Sequence, residues 1–169
     1  MKKGIAALVA ATVLVMYSAV PTWAAGFMRP KVGDPVAEFS ITMLSGKTVS
    51  STELFKQNKT VVITFLQTAC SLCKAEIIEL QKMSKESKSA VFVLPIAVDM
   101  RTGKEFLENY KSENAVDFDF GIDPKFMVPP MFGFSFTPSS VVVVDGKIAQ
   151  LISGFDDEAR ASMKKIFVK

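Results

Sequence analysis

Between residues 39 and 167 the apolar positions follow two rhythms: short runs that suit strands, and recurrences every three to four residues that suit helices. Two strand-like runs between Phe39 and Val49 flank Leu44-Ser45-Gly46, a hairpin-type turn signal. Ser50, with Glu53 three residues on, is a capping box for a short helix through Leu54 and Phe55. Val61 to Leu66 is a β-branched and aromatic run that reads as a strand buried on both faces. From Ser71 to about Lys85, Ala75, Ile78 and the pair Ile77 and Leu80 recur at helical intervals among lysines and glutamates. Ala90 to Val98 is a second buried strand, so strand, helix and strand predict a right-handed βαβ unit with parallel strands. Pro95 lacks a ladder donor and predicts a bulge or an unpaired side there. Thr102 and Glu105 would cap a further helix carrying Phe106, Leu107 and Tyr110 on one side, and residues 113–138 are less regular. Ser139 to Val144, the Asp145-Gly146 turn and Ile148 to Ile152 read as two antiparallel strands. Asp156 or Asp157 caps a last helix whose Ala159, Met163 and Ile166 or Phe167 would pack on the sheet. The sum is α/β, one mixed sheet covered by helices, with no repeat and no linker.

The first 24 residues follow neither rhythm. Met1-Lys2-Lys3 is a short positive start, Ile5 to Val20 is almost wholly apolar and uncharged, and Thr22 and Ala24 are small residues suited to cleavage before Ala25. The run is shorter than the roughly 20 residues a membrane span requires. Residues 1–24 therefore read as a cleaved signal peptide rather than a retained anchor, and residues 25–169 as a single domain in the periplasm or another extracytoplasmic compartment, where disulfides persist. Removing the signal takes Lys2 and Lys3 away and leaves 18 basic against 17 acidic residues. No block of like charge remains to track a phosphate backbone, so nucleic acid is not an expected partner. With 49 % hydrophobic and 22 % charged residues, the composition supports a packed core and not disorder.

Histidine is absent, which removes the Ser/His/Asp arrangement, His-ligated haem and most catalytic zinc sites. The candidate chemistry is the only cysteine pair, Cys70 and Cys73, in Cys70-Ser71-Leu72-Cys73. The pair lies where a buried strand gives way to a helix, so Cys70 should sit at the helix N-terminus with Cys73 one turn on. Backbone N–H groups and the helix dipole stabilise a thiolate at such a position, where thiol pKa values commonly fall to roughly 3.5 to 7.5. Cys70 is then the nucleophile. Cys73 attacks the mixed disulfide and releases the partner's thiol. As a mere staple the pair is poor, since a four-residue loop yields about 2 kcal/mol against about 4.7 for a 100-residue one. Zinc lacks ligands, and Lys74 stands where a c-type haem motif needs histidine. Cu(I) carriage by the two thiolates stays open, as does an inert disulfide.

The residues Val32-Gly33-Asp34-Pro35, Phe39, the Gly46-Lys47 turn, Val61 to Phe65, the cysteine motif with Lys74, Ala75 and Glu76, and Phe136-Thr137-Pro138 before Val141 to Gly146 carry a family likeness. Over residues 30–168 the chain resembles the thioredoxin-like TlpA/ResA group of exported thiol-disulfide oxidoreductases. The resemblance implies a thioredoxin fold with an extra N-terminal β-hairpin, and no cofactor or metal. It also implies a cis proline, Pro138, facing the cysteine pair, with Thr137 offering its backbone to the substrate as a strand partner. Glu76 matches an acidic residue that tunes the second cysteine's proton, and Cys73 and Glu76 share a helix face. The bland alternative for Glu76 is a solvated first-turn glutamate that suits the dipole. The implied partners are exported protein thiols and disulfides, among them apocytochrome c, and a membrane electron donor that re-reduces a monomeric enzyme.

Departures limit the carry-over. The family's tryptophan before the first cysteine and proline between the two are replaced here by Ala69 and by Ser71-Leu72, which leaves the reduction potential open. Thioredoxin's buried aspartate is replaced by Thr64, and Gln67 and Thr68 do not match the peroxiredoxin threonine spacing. Finally, residues 126–136, rich in phenylalanine and methionine, suit either an adaptable apolar surface or burial beneath the sheet, and burial is the expectation.

Overall fold

A computed structural model of the chain describes residues 29–99 and 103–168. The signal segment, residues 1–24, and Thr102 lie outside them. The described elements run β1 (Ser40–Met43), β2 (Thr48–Ser50), α1 (Ser51–Gln57), β3 (Thr60–Leu66), α2 (Ser71–Glu86), β4 (Val91–Ala97), α3 (Lys104–Glu113), β5 (Gly121–Ile122), a 3-10 turn (Pro129–Phe132), β6 (Ser139–Val144), β7 (Lys147–Ser153) and α4 (Asp157–Phe167). One seven-stranded sheet has the order β2-β1-β5-β4-β3-β6-β7. Its centre is parallel, β3 with β4 and β4 with β5, while β6 pairs antiparallel with β3 and β7 antiparallel with β6. This is the thioredoxin fold, and β1 and β2 form the N-terminal hairpin, joined to the sheet through β5.

Local chemistry accounts for the boundaries. Ser50 accepts the Glu53 N–H at the start of α1, and Asp156 accepts the Ala159 N–H at the start of α4. Asp145 and Gly146, with φ of 50° and 75°, make the tight turn between β6 and β7 that positive-φ residues permit. Pro95 causes no bulge. β3 and β4 stay in continuous register past it, and β5 pairs with β4 only from Ile96 onward, so the missing N–H lies just ahead of that pairing.

Alternation along β3 divides the core into two layers. Val62 and Leu66 pack with Cys73, Ile77 and Leu80 of α2 and with Met163 of α4, whereas Val61, Ile63 and Phe65 pack with Phe132 and Phe134 on the opposite face. Two helix faces differ from expectation. In α2 the buried stripe is Cys73, Glu76, Ile77 and Leu80, while Ala75 and Ile78 face solvent, because the stripe lies one position away from the one that apolarity alone marks out. In α3 Leu107 and Tyr110 are buried but Phe106 is exposed, and Gly103 occupies the cap position.

Candidate active site

The loop leaving β3 places the cysteines. Asp99, two residues beyond β4, accepts both the Thr68 N–H at 2.6 Å and the Thr68 hydroxyl at 2.8 Å, which ties this loop to the segment leaving the neighbouring strand. Two residues later Cys70 caps α2, its backbone extended and its Sγ accepting the Cys73 N–H at 3.1 Å. A sulfur at that position faces the positive end of a 16-residue helix, the environment that stabilises a thiolate. Cys70 and Cys73 are joined as a disulfide across a Cα–Cα distance of 5.2 Å. Their environments differ, since Cys70 is partly exposed and Cys73 is fully buried. An incoming partner can reach only the first sulfur. Lys74 is exposed, as expected for a solvated side chain.

Antiparallel pairing brings the second segment to the same place. Because Ser139 pairs with Phe65, the residues before β6 lie opposite the loop that follows β3. The Thr137–Pro138 peptide bond is cis, Pro138 is buried, and the Thr137 hydroxyl lies 3.4 Å from Gln67 Oε1. Among the described residues the Thr137 backbone enters none of the backbone hydrogen bonds of turns, loops and caps. Leu72, between the cysteines, and Phe136, next to Thr137, are 55 % and 52 % exposed. They give the rim of the site an apolar character. The rest of the Phe/Met-rich segment divides: Phe132 and Phe134 are buried in the core, and Met127 is exposed.

Glu76 is where residue-level expectation divided most evenly, and its surroundings exclude the solvated reading. It lies on the second turn of α2, not the first, and only 1 % of it is exposed. It faces two polar residues on adjacent strands, Thr64 of β3 and Ser140 of β6, which are paired across the sheet and both buried. The Ser140 hydroxyl donates to Glu76 Oε1 at 2.6 Å, while Oε2 has no hydrogen-bond partner among the described residues. Burial pushes the Glu76 carboxyl up from 4.5 to about 7. The Ser140 hydrogen bond opposes that rise, and the nearby Thr64 hydroxyl opposes it more weakly without closing a well-formed hydrogen bond. Sequence reasoning did not join Thr64 and Ser140 as a pair, although Thr64 breaks the apolar run of β3; Ser140 follows Ser139 at the polar start of β6.

With this geometry in view, the comparison with known proteins is decisive for the family. The Redoxin family model matches residues 31–166. The chain belongs to the Redoxin family. Among solved structures, the chain is similar to a thiol:disulfide interchange protein from Bacteroides sp., with TM-score 0.67 and 21 % identity over 83 % of this chain and 92 % of that one. The thioredoxin domain of a thiol-disulfide oxidoreductase from Bacteroides vulgatus matches at TM-score 0.67 and 21 % identity, over 81 % and 98 % of the two chains. StoA from Bacillus subtilis matches at 0.59 and 17 %, over 77 % and 97 %. No curated protein sequence matches. In this chain Cys70 and Cys73 form a Cys-x-x-Cys disulfide on a thioredoxin fold.

Proposed function

We propose that this Redoxin-family protein is an exported thiol-disulfide oxidoreductase that reduces disulfides of protein partners. The observation that carries the reading is the unequal pair: a partly exposed sulfur capping a long helix, joined to a wholly buried one a turn away. Reduced Cys70 attacks a partner disulfide, forming a Cys70–partner mixed disulfide and releasing one partner thiolate. Cys73 then attacks Cys70 Sγ, the bond to the partner breaks with its electron pair on the partner sulfur, and the Cys70–Cys73 disulfide forms. The partner is reduced by two electrons and the pair oxidised by two. Thr137 and Pro138 orient the partner chain, and Glu76 takes the proton from Cys73. The signal-like residues 1–24 support an extracytoplasmic location. A membrane thiol-disulfide donor would return the electrons, and apocytochrome c is among the partner thiol proteins in keeping with the resemblance.

The test is the reduction potential of the pair in the mature chain, equilibrated against glutathione with free thiols counted. We expect a reversible disulfide with a potential near thioredoxin's, about -270 mV. A value near -120 mV would make the protein a disulfide-forming oxidant instead, and a pair that forms no reversible disulfide would leave Cu(I) binding by the thiolates as the better account.

The exposed rim makes a second expectation. Leu72→Ser combined with Phe136→Ser removes apolar surface without touching the core, so the melting temperature should hold within a few degrees. Turnover of a protein disulfide such as insulin should fall several-fold while that of a small disulfide does not. Equal loss for both substrates would remove the rim from substrate binding.

A further inference from the structure

Two buried polar side chains on the sheet, Ser140 and Thr64, face Glu76 from below, and they treat its two oxygens differently. Ser140 Oγ donates to Oε1 at 2.6 Å. Oε2 is buried and has no hydrogen-bond partner, and neither has Thr64 Oγ1, among the described residues. A carboxylate oxygen that accepts a short hydrogen bond is made less basic and is held in place, which leaves the other oxygen as the seat for a proton. The other side chain of functional interest on this face of α2 is Cys73, one turn earlier.

We propose that Ser140 is a positioning residue of the exchange reaction: its hydroxyl fixes the Glu76 carboxyl so that Oε2 receives the Cys73 proton. The inference rests on the reading that the pair exchanges thiols and that Glu76 serves Cys73. In the resolving step the Cys73 Sγ–H bond breaks and its proton goes to Glu76 Oε2. The resulting thiolate forms the S–S bond to Cys70, and the partner leaves with the electron pair of the broken mixed disulfide. In the reverse step, when the pair is re-reduced, Oε2 returns the proton to Cys73. Ser140 also favours the ionised carboxylate, so it keeps the base available near neutral pH against the opposing effect of burial. Thr64 from β3 and Ser140 from β6 face Glu76 from the sheet, and Cys73 lies three residues earlier on the same face of its own helix.

The experiment uses 5,5′-dithiobis(2-nitrobenzoate) with the reduced mature chain in stopped flow. Attack by Cys70 releases a first thionitrobenzoate, and resolution by Cys73 releases a second, so the two steps are read separately from pH 5 to 9. For Ser140→Ala we expect the second release to slow about tenfold at pH 7, and its pH midpoint to move upward by about one unit, as loss of one hydrogen bond to a charged group would give. The first release is the internal reference. Ser140→Thr against Ser140→Val isolates the hydroxyl at matched volume, and only the threonine variant should behave like the original chain. Glu76→Gln should abolish the part of the second release's pH dependence that follows the Glu76 carboxyl. If Glu76→Gln abolishes it but Ser140→Ala and Ser140→Val match the original chain, the role of Ser140 is overturned while that of Glu76 stands. If Glu76→Gln leaves the profile unchanged, the proton role of Glu76 falls and the inference with it. A chain that releases no second thionitrobenzoate overturns the exchange reading itself.

Discussion

Cys73→Ser should turn the protein into a covalent trap, and Cys70→Ser should silence it. In the first variant the partly exposed sulfur at the helix cap is intact, so it attacks a partner disulfide and forms the mixed disulfide. Nothing then resolves the adduct, because Cys73 is the only other cysteine in the chain. Incubation of reduced Cys73→Ser with a protein disulfide should accumulate a one-to-one adduct, visible by mass spectrometry under non-reducing conditions and released by dithiothreitol. In the second variant the remaining thiol has no exposed surface, so reaction should fall to that of the reagent alone. An adduct located on Cys73 in the Cys70→Ser protein would reverse the assignment of attacking and resolving sulfurs. The same trap offers a route to the partner, since the adduct can be isolated from cells and its second half sequenced.

The two cysteines were legible because their place between a strand and a helix is written in residues of unambiguous type. Val61 to Leu66 is too apolar and β-branched to be anything but a central strand, and Ser139 to Val144 with Asp145-Gly146 fixes the antiparallel return. Thr137 and Pro138 were legible only through the family resemblance, and the observed pairing of those two strands puts them opposite the cysteine loop. β5 was not legible. Its two residues carry no periodicity, and it is defined only by its long-range pairings with β1 and β4. Gly121 marks it only in hindsight, since a Cβ there would stand 2.8 Å from the Ile41 side chain. The burial of Glu76 was half legible. Spacing put it on the face of Cys73, but a glutamate early in a helix has a ready solvated explanation. The deciding signal lay elsewhere, in Thr64, which interrupts the apolar run of β3, and Ser140, at the polar start of β6, which become meaningful only when the register sets them side by side beneath the helix.

The stability of the oxidised protein should carry the mark of that burial. Glu76 has an ordinary carboxyl pKa of 4.5 when the chain is unfolded and about 7 when folded. Between those values the folded state holds a proton that the unfolded state has lost, so unfolding becomes more favourable as pH rises. The protonated carboxyl is thus accommodated fully below pH 4.5, and the cost of burying its charge grows until about pH 7 and is constant above. A rise of about 2.5 units corresponds to about 3 kcal/mol lost across that window. Glu76→Gln keeps an acceptor for Ser140 and removes the titration, at the cost of a buried amide N–H₂ group that is the same at every pH. Guanidinium unfolding of the oxidised chains from pH 4 to 8 should therefore show the original chain losing about 3 kcal/mol relative to the glutamine variant, chiefly between pH 4.5 and 7. A difference that stays flat over this range would mean that the carboxyl titrates as it does in water. A carboxyl poised near 7 is also matched to its proposed task, because it can accept a proton from Cys73 and give it back at neutral pH. The stability lost on ionising Glu76 and the basicity it brings to the exchange are then two consequences of a single buried carboxylate above Thr64 and Ser140.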